Sequence, residues 1–509
     1  MYQRLRTTVA LKIEFEHNFS SLIYSELKFE TRNQFFSQIT DSLVSKLAQV
    51  IDYSIAATKT NNGLRSIQIC YYKDFDNQFK DSFLLIVDNG RGLGVNDLQN
   101  WSRLKFSTFK PTNERHPRHL NSDLNCMESN LIQTFFNIGN TLTVLSKSNK
   151  SIDSVELTIS KKRFGQSVHN RPFGSVYREP ILIRSKGVER EAPNDLTPSE
   201  SIITKLFKDF RKKYKSFTIF VIKELFKEVD NQFQKHMADK WSKQLATIYH
   251  YYIHGPKGNI SDENTPIPSD QSQLKISVQL NSILRLAANR PYSLRPNYSV
   301  LFDKINDDFE SLLVRSAVDC FKFEILHSIK SELIIEGIIR YHPYLYERET
   351  LPQLSEQLSE TALGNGHRLD YSPNLSTTLH NTLYPKISYP NRKLFDVFWN
   401  GRLIPEESVD FDWAKYDSKN PNTKGFKDCF KRLSGALFSD SCLKISPNKQ
   451  SLVDLNKLLV MKEYLSFYCV NQNGERLTIR TNIENAFIKW IKSCHEKYDK
   501  EVLYQQFQG

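Results

Sequence analysis

The stretch from Asp41 to Leu93 constrains the fold more than any other part of the chain. Leu43, Leu47, Val50, Ile51 and Ile55 recur at three- and four-residue spacing, which predicts a helix between Asp41 and Thr58 with one buried stripe. Asn62-Gly63 is expected to close that helix, because glycine tolerates the left-handed turn at a helix C-terminus. "SIQICYY" then alternates, and "FLLIV" (83–87) is a short apolar run between polar turns, so both read as strands. A helix with one apolar face, followed directly by paired strands, packs on a sheet. The expectation is an α+β fold.

Further strands are expected at "TLTVLSK", "SVELTIS", "PILIRS" and "SFTIFVI", followed by a long helix from about Phe226 to Ile253 stopped by "GPKG". After Asn259 the alternation of elements starts again. "KISVQL", "CFKFEILHSI", "LIIEGIIRYHP", "LFDVFWNGRLI" and "ALFSDSCLKIS" read as strands, and "ENAFIKWIKSCHEKYDK" as a closing helix. Residues 351–391 are polar, rich in Ser, Asn and Pro, and read as a long loop. No internal repeat is visible. A length of 509 residues exceeds the usual single domain, so two domains are expected, 1–259 and 260–509.

Hydrophobic residues at 39% are enough for real cores. The net charge of +12 tilts the chain toward anionic partners, nucleic acid or a membrane surface. The seven cysteines are scattered without a C-x-x-C pair, which argues for a reducing compartment and against structural zinc or a disulfide framework. The N-terminus has only a short apolar stretch, Val9 to Ile13, broken by Lys12 and followed by Glu14, so a signal peptide is not expected. No run of eighteen apolar residues occurs, so no membrane span is expected, and the reading is of a soluble intracellular protein.

"DNGRGL" at the end of the second strand has two readings. A buried Asp88 carboxylate can accept a hydrogen bond from an exocyclic amine and so select adenine, with Gly90 and Gly92 letting backbone approach the ligand. The same D-N-G is also an ordinary turn signal. A helix with paired positions at i and i+4 precedes the motif by one hairpin, and this arrangement resembles the GHKL ATPases (gyrase, heat-shock chaperone, histidine kinase, MutL). In that family the helix carries E-x-x-x-N: glutamate activates the attacking water and asparagine holds magnesium, both on one helix face.

The resemblance narrows with "VIDYSIAATKTNNGLRSIQI", "VDNGRGL", "NWSRLKFSTF", "PRHLNSDL", "LATIYHYYIHGPKGN", "IIEGIIRYHPYLYERET", "FDVFWNGRLIPEESVDFDW", "RLSGALFSD" and "CHEKYDK". In this order they are similar to the flexible-hinge family of chromosome proteins, chromatin-associated relatives of the microrchidia ATPases, from roughly residue 15 to residue 504. The resemblance implies a GHKL (Bergerat-type) ATPase-like α/β sandwich followed by a ribosomal S5 domain 2-like transducer. It also implies a nuclear location, homodimerisation, and a role in chromosome organisation or gene silencing. ATP and magnesium are the implied cofactors, with Asp88, Gly90, Gly92 and Ser107 as the implied nucleotide-binding residues.

Three departures from the family pattern stand out. Gln49 occupies the glutamate position, and an amide cannot take a proton from water. Tyr53 occupies the asparagine position, where a bulky neutral phenol is a poor magnesium ligand. The glycine-rich lid reads Glu128, Ser129, Asn130, Leu131, Ile132, with no glycine or lysine to cradle phosphates. Asp52 lies one residue off the needed helix face. These losses predict a catalytically degenerate pocket, in which Gln49 and Tyr53 either border weakly bound ATP or pack within a filled cleft.

His250 and His254 have the i, i+4 spacing of helical zinc ligands, but Tyr251 stands where a zincin needs glutamate. Their aromatic surroundings favour packed structural histidines, so neither zinc nor haem is expected. Basic clusters with interleaved aromatics at 208–217 and 160–165 fit either nucleic-acid contact or solvated faces. "FWNGRLIPEE" is expected to be structural. Three functions follow in order: a degenerate dimerisation and chromatin-scaffold module, an active chromatin ATPase with its base from elsewhere, and a nucleic-acid-binding module without a nucleotide step.

Overall fold

The computed structural model describes residues 23–27, 42–61, 63–74, 82–101, 124, 131–163, 177–185, 198–255, 258, 274–284, 293–329, 331–343, 394–409, 411–416, 429–430, 432–440, 443–446, 449–453, 455, 465–470, 475–477 and 483–498. The chain divides into two compact units. One comprises Met1–Pro111, Leu124–Asp239 and Ser269–Phe302, and the other Thr112–Asp123, Lys240–Pro268 and Asp303–Gly509.

The first unit is built on a nine-stranded sheet. Its strands are β1 (Ile23–Leu27), β2 (Arg65–Asp74), β3 (Phe83–Asp88), β4 (Gly139–Lys147), β5 (Ser154–Ser160), β6 (Tyr177–Arg184), β7 (Phe217–Leu225), β8 (Leu274–Leu284) and β9 (Ser293–Leu301), in the order β1-β6-β5-β4-β7-β3-β2-β8-β9. Neighbours are antiparallel except β2 and β8, which run parallel from Arg65↔Leu274 to Asp74↔Ile283. That ladder carries residues 274–301 into the first sheet. The division found therefore differs from the expected 259/260: the restart of the element pattern after Asn259 is real, but its first two strands pair into the first sheet through β2.

β3 is buried along its whole length because it lies between β2 and β7 with both faces covered. One face packs with helix α1 (Leu43–Ala57), whose residues from Leu47 to Ala57 are buried. On the other face Phe83, Leu85 and Val87 join Phe217, Ile219 and Val221, with Ile202, Ile203 and Phe207 of a helix at Pro198–Lys213. Ser42 caps α1 by accepting the Ser45 N–H at 3.2 Å. The helix ends before Asn62-Gly63: Thr58 is its C-cap, and the Thr58 hydroxyl donates to the Ser54 carbonyl at 2.9 Å. Shorter helices in this unit are α2 (Val95–Trp101) and α3 (Leu131–Phe136). Pro198–Lys213 is α4.

The expected long helix from Phe226 to Ile253 is instead broken into Lys227–Asp230, a 3-10 turn at Asn231–Phe233, α5 (Lys235–Ile248) and α6 (His250–His254). Tyr249 leaves helical geometry at φ −106, ψ 17, and the bulky aromatics on either side seat in the core.

The second unit holds a seven-stranded sheet of β10 (Asp319–His327), β11 (Leu333–Tyr341), β12 (Phe395–Trp399), β13 (Arg402–Val409), β14 (Leu433–Ser439), β15 (Leu465–Val470) and β16 (Arg476–Leu477), ordered β13-β12-β14-β11-β10-β15-β16. Only β12 and β14 pair in parallel. Phe323 pairs with Gly337 and Phe395 with Gly435, and each ring fills the space above its glycine, where any Cβ would overlap it. Helix α7 (Phe309–Ser316) and helix α8 (Ile483–Tyr498) complete the unit, with Phe487 and Trp490 of α8 packed on Phe321. The polar stretch 351–391 lies outside the described residues. No described helix is long and apolar enough to cross a membrane.

Candidate nucleotide site

Asp88 is the last residue of β3, on the face turned toward α1. It is fully buried and accepts two hydrogen bonds, from the Ser54 hydroxyl at 3.2 Å and from the Gly90 N–H at 2.9 Å. Neither donor carries a full charge. Burial therefore dominates, and it pushes the carboxyl up to about 7 against the smaller lowering effects of those bonds. Among the described residues, no basic side chain acts on it.

The two glycines of the turn are held by the protein's own backbone. A Cβ on Gly90 would lie 2.5 Å from the Ala57 carbonyl oxygen, the same carbonyl that accepts the Arg91 N–H at 2.9 Å. Gly92 has φ +66, and a Cβ there would overlap the Lys147 carbonyl. The turn is thus clamped between the C-terminal end of α1 and the end of β4. Asn149 donates to the Arg91 carbonyl at 3.0 Å and Leu93 N–H to the Ser146 hydroxyl at 2.7 Å.

Gln49 and Tyr53 lie on the same side of α1, one turn apart. Gln49 is buried, and its Oε1 accepts the Thr134 hydroxyl of α3 at 2.5 Å. Tyr53 is 1% exposed and meets Phe220 of β7 edge-on, with ring centroids 5.5 Å apart and planes at 78°. Phe135 of α3 packs on the same Phe220 at 5.0 Å. Both helix positions thus face α3 and the sheet. Asp52 is buried as well.

Leu131 and Ile132 open α3 and are both buried. Glu128, Ser129 and Asn130, and also Ser107, lie outside the described residues. Thr134, the partner of Gln49, was not singled out from the sequence. The only hint available was its position a few residues beyond the lid.

Comparison with known proteins gives the chain's relatives. Residues 307–497 match the family model described as SMCHD1, ribosomal S5 domain 2-like domain. Over its whole length the chain is 31% identical to the structural maintenance of chromosomes flexible hinge domain-containing protein 1 of Mus musculus, aligned over 530 residues. Identity to the Homo sapiens protein of that name is 31% over 525 residues. This chain is a relative of those flexible-hinge proteins. It spans 24% of the length of each of these flexible-hinge relatives.

Looser likenesses occur among solved structures. The N-terminal domain of a DNA repair protein has a TM-score of 0.38 at 13% identity, covering 91% of this chain and 96% of that one. The ATPase and transducer domains of DNA topoisomerase II from Balamuthia mandrillaris have a TM-score of 0.35 at 10% identity, covering 89% of this chain and 86% of that one. The fold class is α+β, as expected, and the S5 domain 2-like match at 307–497 falls in the second unit.

The basic cluster at 208–217 falls on the last turn of α4 and just beyond it, with Arg211, Lys212 and Lys213 at the helix C-terminus, where cations offset the helix dipole. Lys213 also lies over the Tyr214 ring at 5.0 Å. His250 and His254 lie on α6 in the second unit.

Proposed function

We propose that the first unit is a catalytically degenerate GHKL ATPase-like module. Together with the S5-like unit it serves as a dimerisation and scaffold part of a chromosome-associated, nuclear protein acting in chromosome organisation or gene silencing. The observation that carries this reading is the packing of Gln49 and Tyr53. The amide that stands at the general-base position has its acceptor oxygen engaged by Thr134. The phenol that stands at the magnesium position is packed against Phe220. An amide has no basic lone pair to offer a water, and loss of a general base costs roughly 10²- to 10⁴-fold in rate. Magnesium needs compact oxygen ligands in octahedral geometry, which a ring seated in the core does not supply. These residues do not fit a magnesium–triphosphate, and no hydrolytic step is assigned to them. Asp88, with Ser54 and Gly90 around it, retains the chemistry for purine contact alone.

The family name and the likeness across the whole chain support the chromosomal role. Homodimerisation is carried over from the GHKL resemblance. The test is isothermal calorimetry with magnesium-ATP on the full chain, followed by a multiple-turnover phosphate-release assay. Hydrolysis at background is expected. Turnover that disappears in Asp88→Ala would overturn the reading, since a contaminating ATPase is indifferent to that substitution. Sedimentation velocity should show a monomer–dimer balance unmoved by magnesium-ATP, because a ligand shifts an equilibrium only by its differential affinity for the two states.

A further inference from the structure

The second unit contains a buried polar cluster that the nucleotide reading leaves unused. His250 and His254 lie on one side of α6 with ring centroids 4.8 Å apart and planes tilted at 48°, and Asp308, the N-cap of α7, faces them. Ligand-capable atoms of all three lie within 4.8 Å of one another. His250 and Asp308 are completely buried.

The hydrogen bonds around the cluster arrange the lone pairs. His250 Nε2 is 3.0 Å from the Gly258 carbonyl, which can only accept, so Nε2 carries the proton. That leaves Nδ1 facing the Asp308 carboxylate at 3.5 Å and the Ser311 hydroxyl at 3.3 Å. A bare nitrogen lone pair opposite a buried carboxylate is repulsive unless a cation lies between them. Among the described residues, His254 Nε2 is buried with no hydrogen-bond partner. Asp303, whose charge acts on His254, holds a second buried oxygen, Oδ1, that has no partner among the described residues. Two orphaned buried polar atoms beside one another leave room for a water or an ion to satisfy them.

We propose that this cluster is a zinc site with three protein ligands. Its ligands are His250 through Nδ1, His254 through Nε2, and the Asp308 carboxylate, with Asp303 supplying nearby negative charge. Two imidazoles with a carboxylate suit a zinc-type transition ion and not magnesium or calcium, which take oxygen ligands. Ligands on a tetrahedral zinc at ~2.0–2.1 Å sit roughly 3.4 Å apart. The His250–Asp308 separation of 3.5 Å already meets that, so only His254 needs to close in.

The outer contacts are those a ligating histidine and carboxylate need. Gly258 O holds the far nitrogen of His250. Gly258 sits at φ +66, where a Cβ would fall 3.0 Å from His250 Nε2, so glycine is required for the carbonyl to reach the ring. Ser311 supports the carboxylate through its N–H, which donates to Oδ1 at 3.2 Å, and through its hydroxyl, which donates to Oδ2. The ion would tie α6 to the N-terminus of α7. The rival arrangement is a proton in place of the metal, giving a His250 imidazolium paired with Asp308.

The test uses the full chain, stripped of metal with a chelator and titrated with Zn²⁺ against a chromophoric competitor. One equivalent is expected to bind with sub-micromolar affinity. Co²⁺ should give visible d–d bands of a nitrogen–oxygen site with no thiolate charge-transfer band. His254→Ala should weaken Zn²⁺ by about 100-fold or more, at or beyond the upper end of the cost of losing an outer-shell partner. No sub-micromolar equivalent, a sulfur-ligated Co²⁺ spectrum, or unchanged affinity in His254→Ala would each overturn the proposal. The Co²⁺ spectrum is read on the unaltered chain, so it decides even if the variant fails to fold.

Discussion

Replacing Asp88 by asparagine isolates the electrostatic state of the candidate nucleotide site. The amide is nearly isosteric: its oxygen can still accept the Gly90 N–H, and its NH₂ can donate to the Ser54 hydroxyl where the carboxylate accepted from it. What disappears is the titration. Burial raises the Asp88 carboxyl from 3.8 to about 7. Because the folded value lies above the unfolded one, the fold binds this proton more tightly than the open chain does. Its contribution to stability is complete below pH ~3.8, drains away as pH rises, and is gone above about 7. With those two values, linkage puts the loss between pH 5 and pH 8 at about 2.5 kcal/mol. Urea denaturation of both proteins at the two pH values measures it. Other titrating groups are common to both chains and cancel in the difference. Relative to wild type, Asp88→Asn should therefore gain about 2.5 kcal/mol on going from pH 5 to pH 8. A difference that stays constant within about 0.5 kcal/mol, a small fraction of that linkage value, would show that Asp88 is not desolvated as described and would refute the reasoning.

Three further outcomes follow from the packing. Gln49→Glu with Tyr53→Asn should fail to restore hydrolysis and should also lower stability by roughly 3–5 kcal/mol, since it empties the space beside Phe220; calorimetric melting reads this directly. Gly92→Ala should cost at least about 2 kcal/mol in urea denaturation, because φ +66 strains any side chain and the Cβ meets the Lys147 carbonyl. In the second unit, Glu310 accepts from Arg340 at 2.9 Å and from the Tyr251 hydroxyl at 2.6 Å, all three buried. Glu310→Leu should cost roughly 3–5 kcal/mol by stranding the Arg340 charge, and adding Arg340→Met should recover much of that loss.

Local pattern determined a good deal of this protein. The apolar stripe of α1, the alternation of β2 and the apolar run of β3 were legible because burial on one or both faces writes a period into the sequence. That Gln49 and Tyr53 share one side of α1 was legible because helix geometry fixes the i, i+4 relation; the roles proposed for those positions come from the family resemblance. Other features were hidden. The basic cluster at 208–217 covers only the C-terminal end of helix α4, whose apolar residues Ile202, Ile203 and Phe207 pack on the far face of the sheet. The parallel pairing of β8 with β2 joins segments about two hundred residues apart, and a backbone ladder leaves no trace in local composition. Thr134 meets Gln49, and Asp308 meets His250, only because separate elements fold against each other. The sequence alone determined which chemistry each position could offer. Tertiary structure decided what each group faces, since desolvation and partnership depend on neighbours brought from far along the chain.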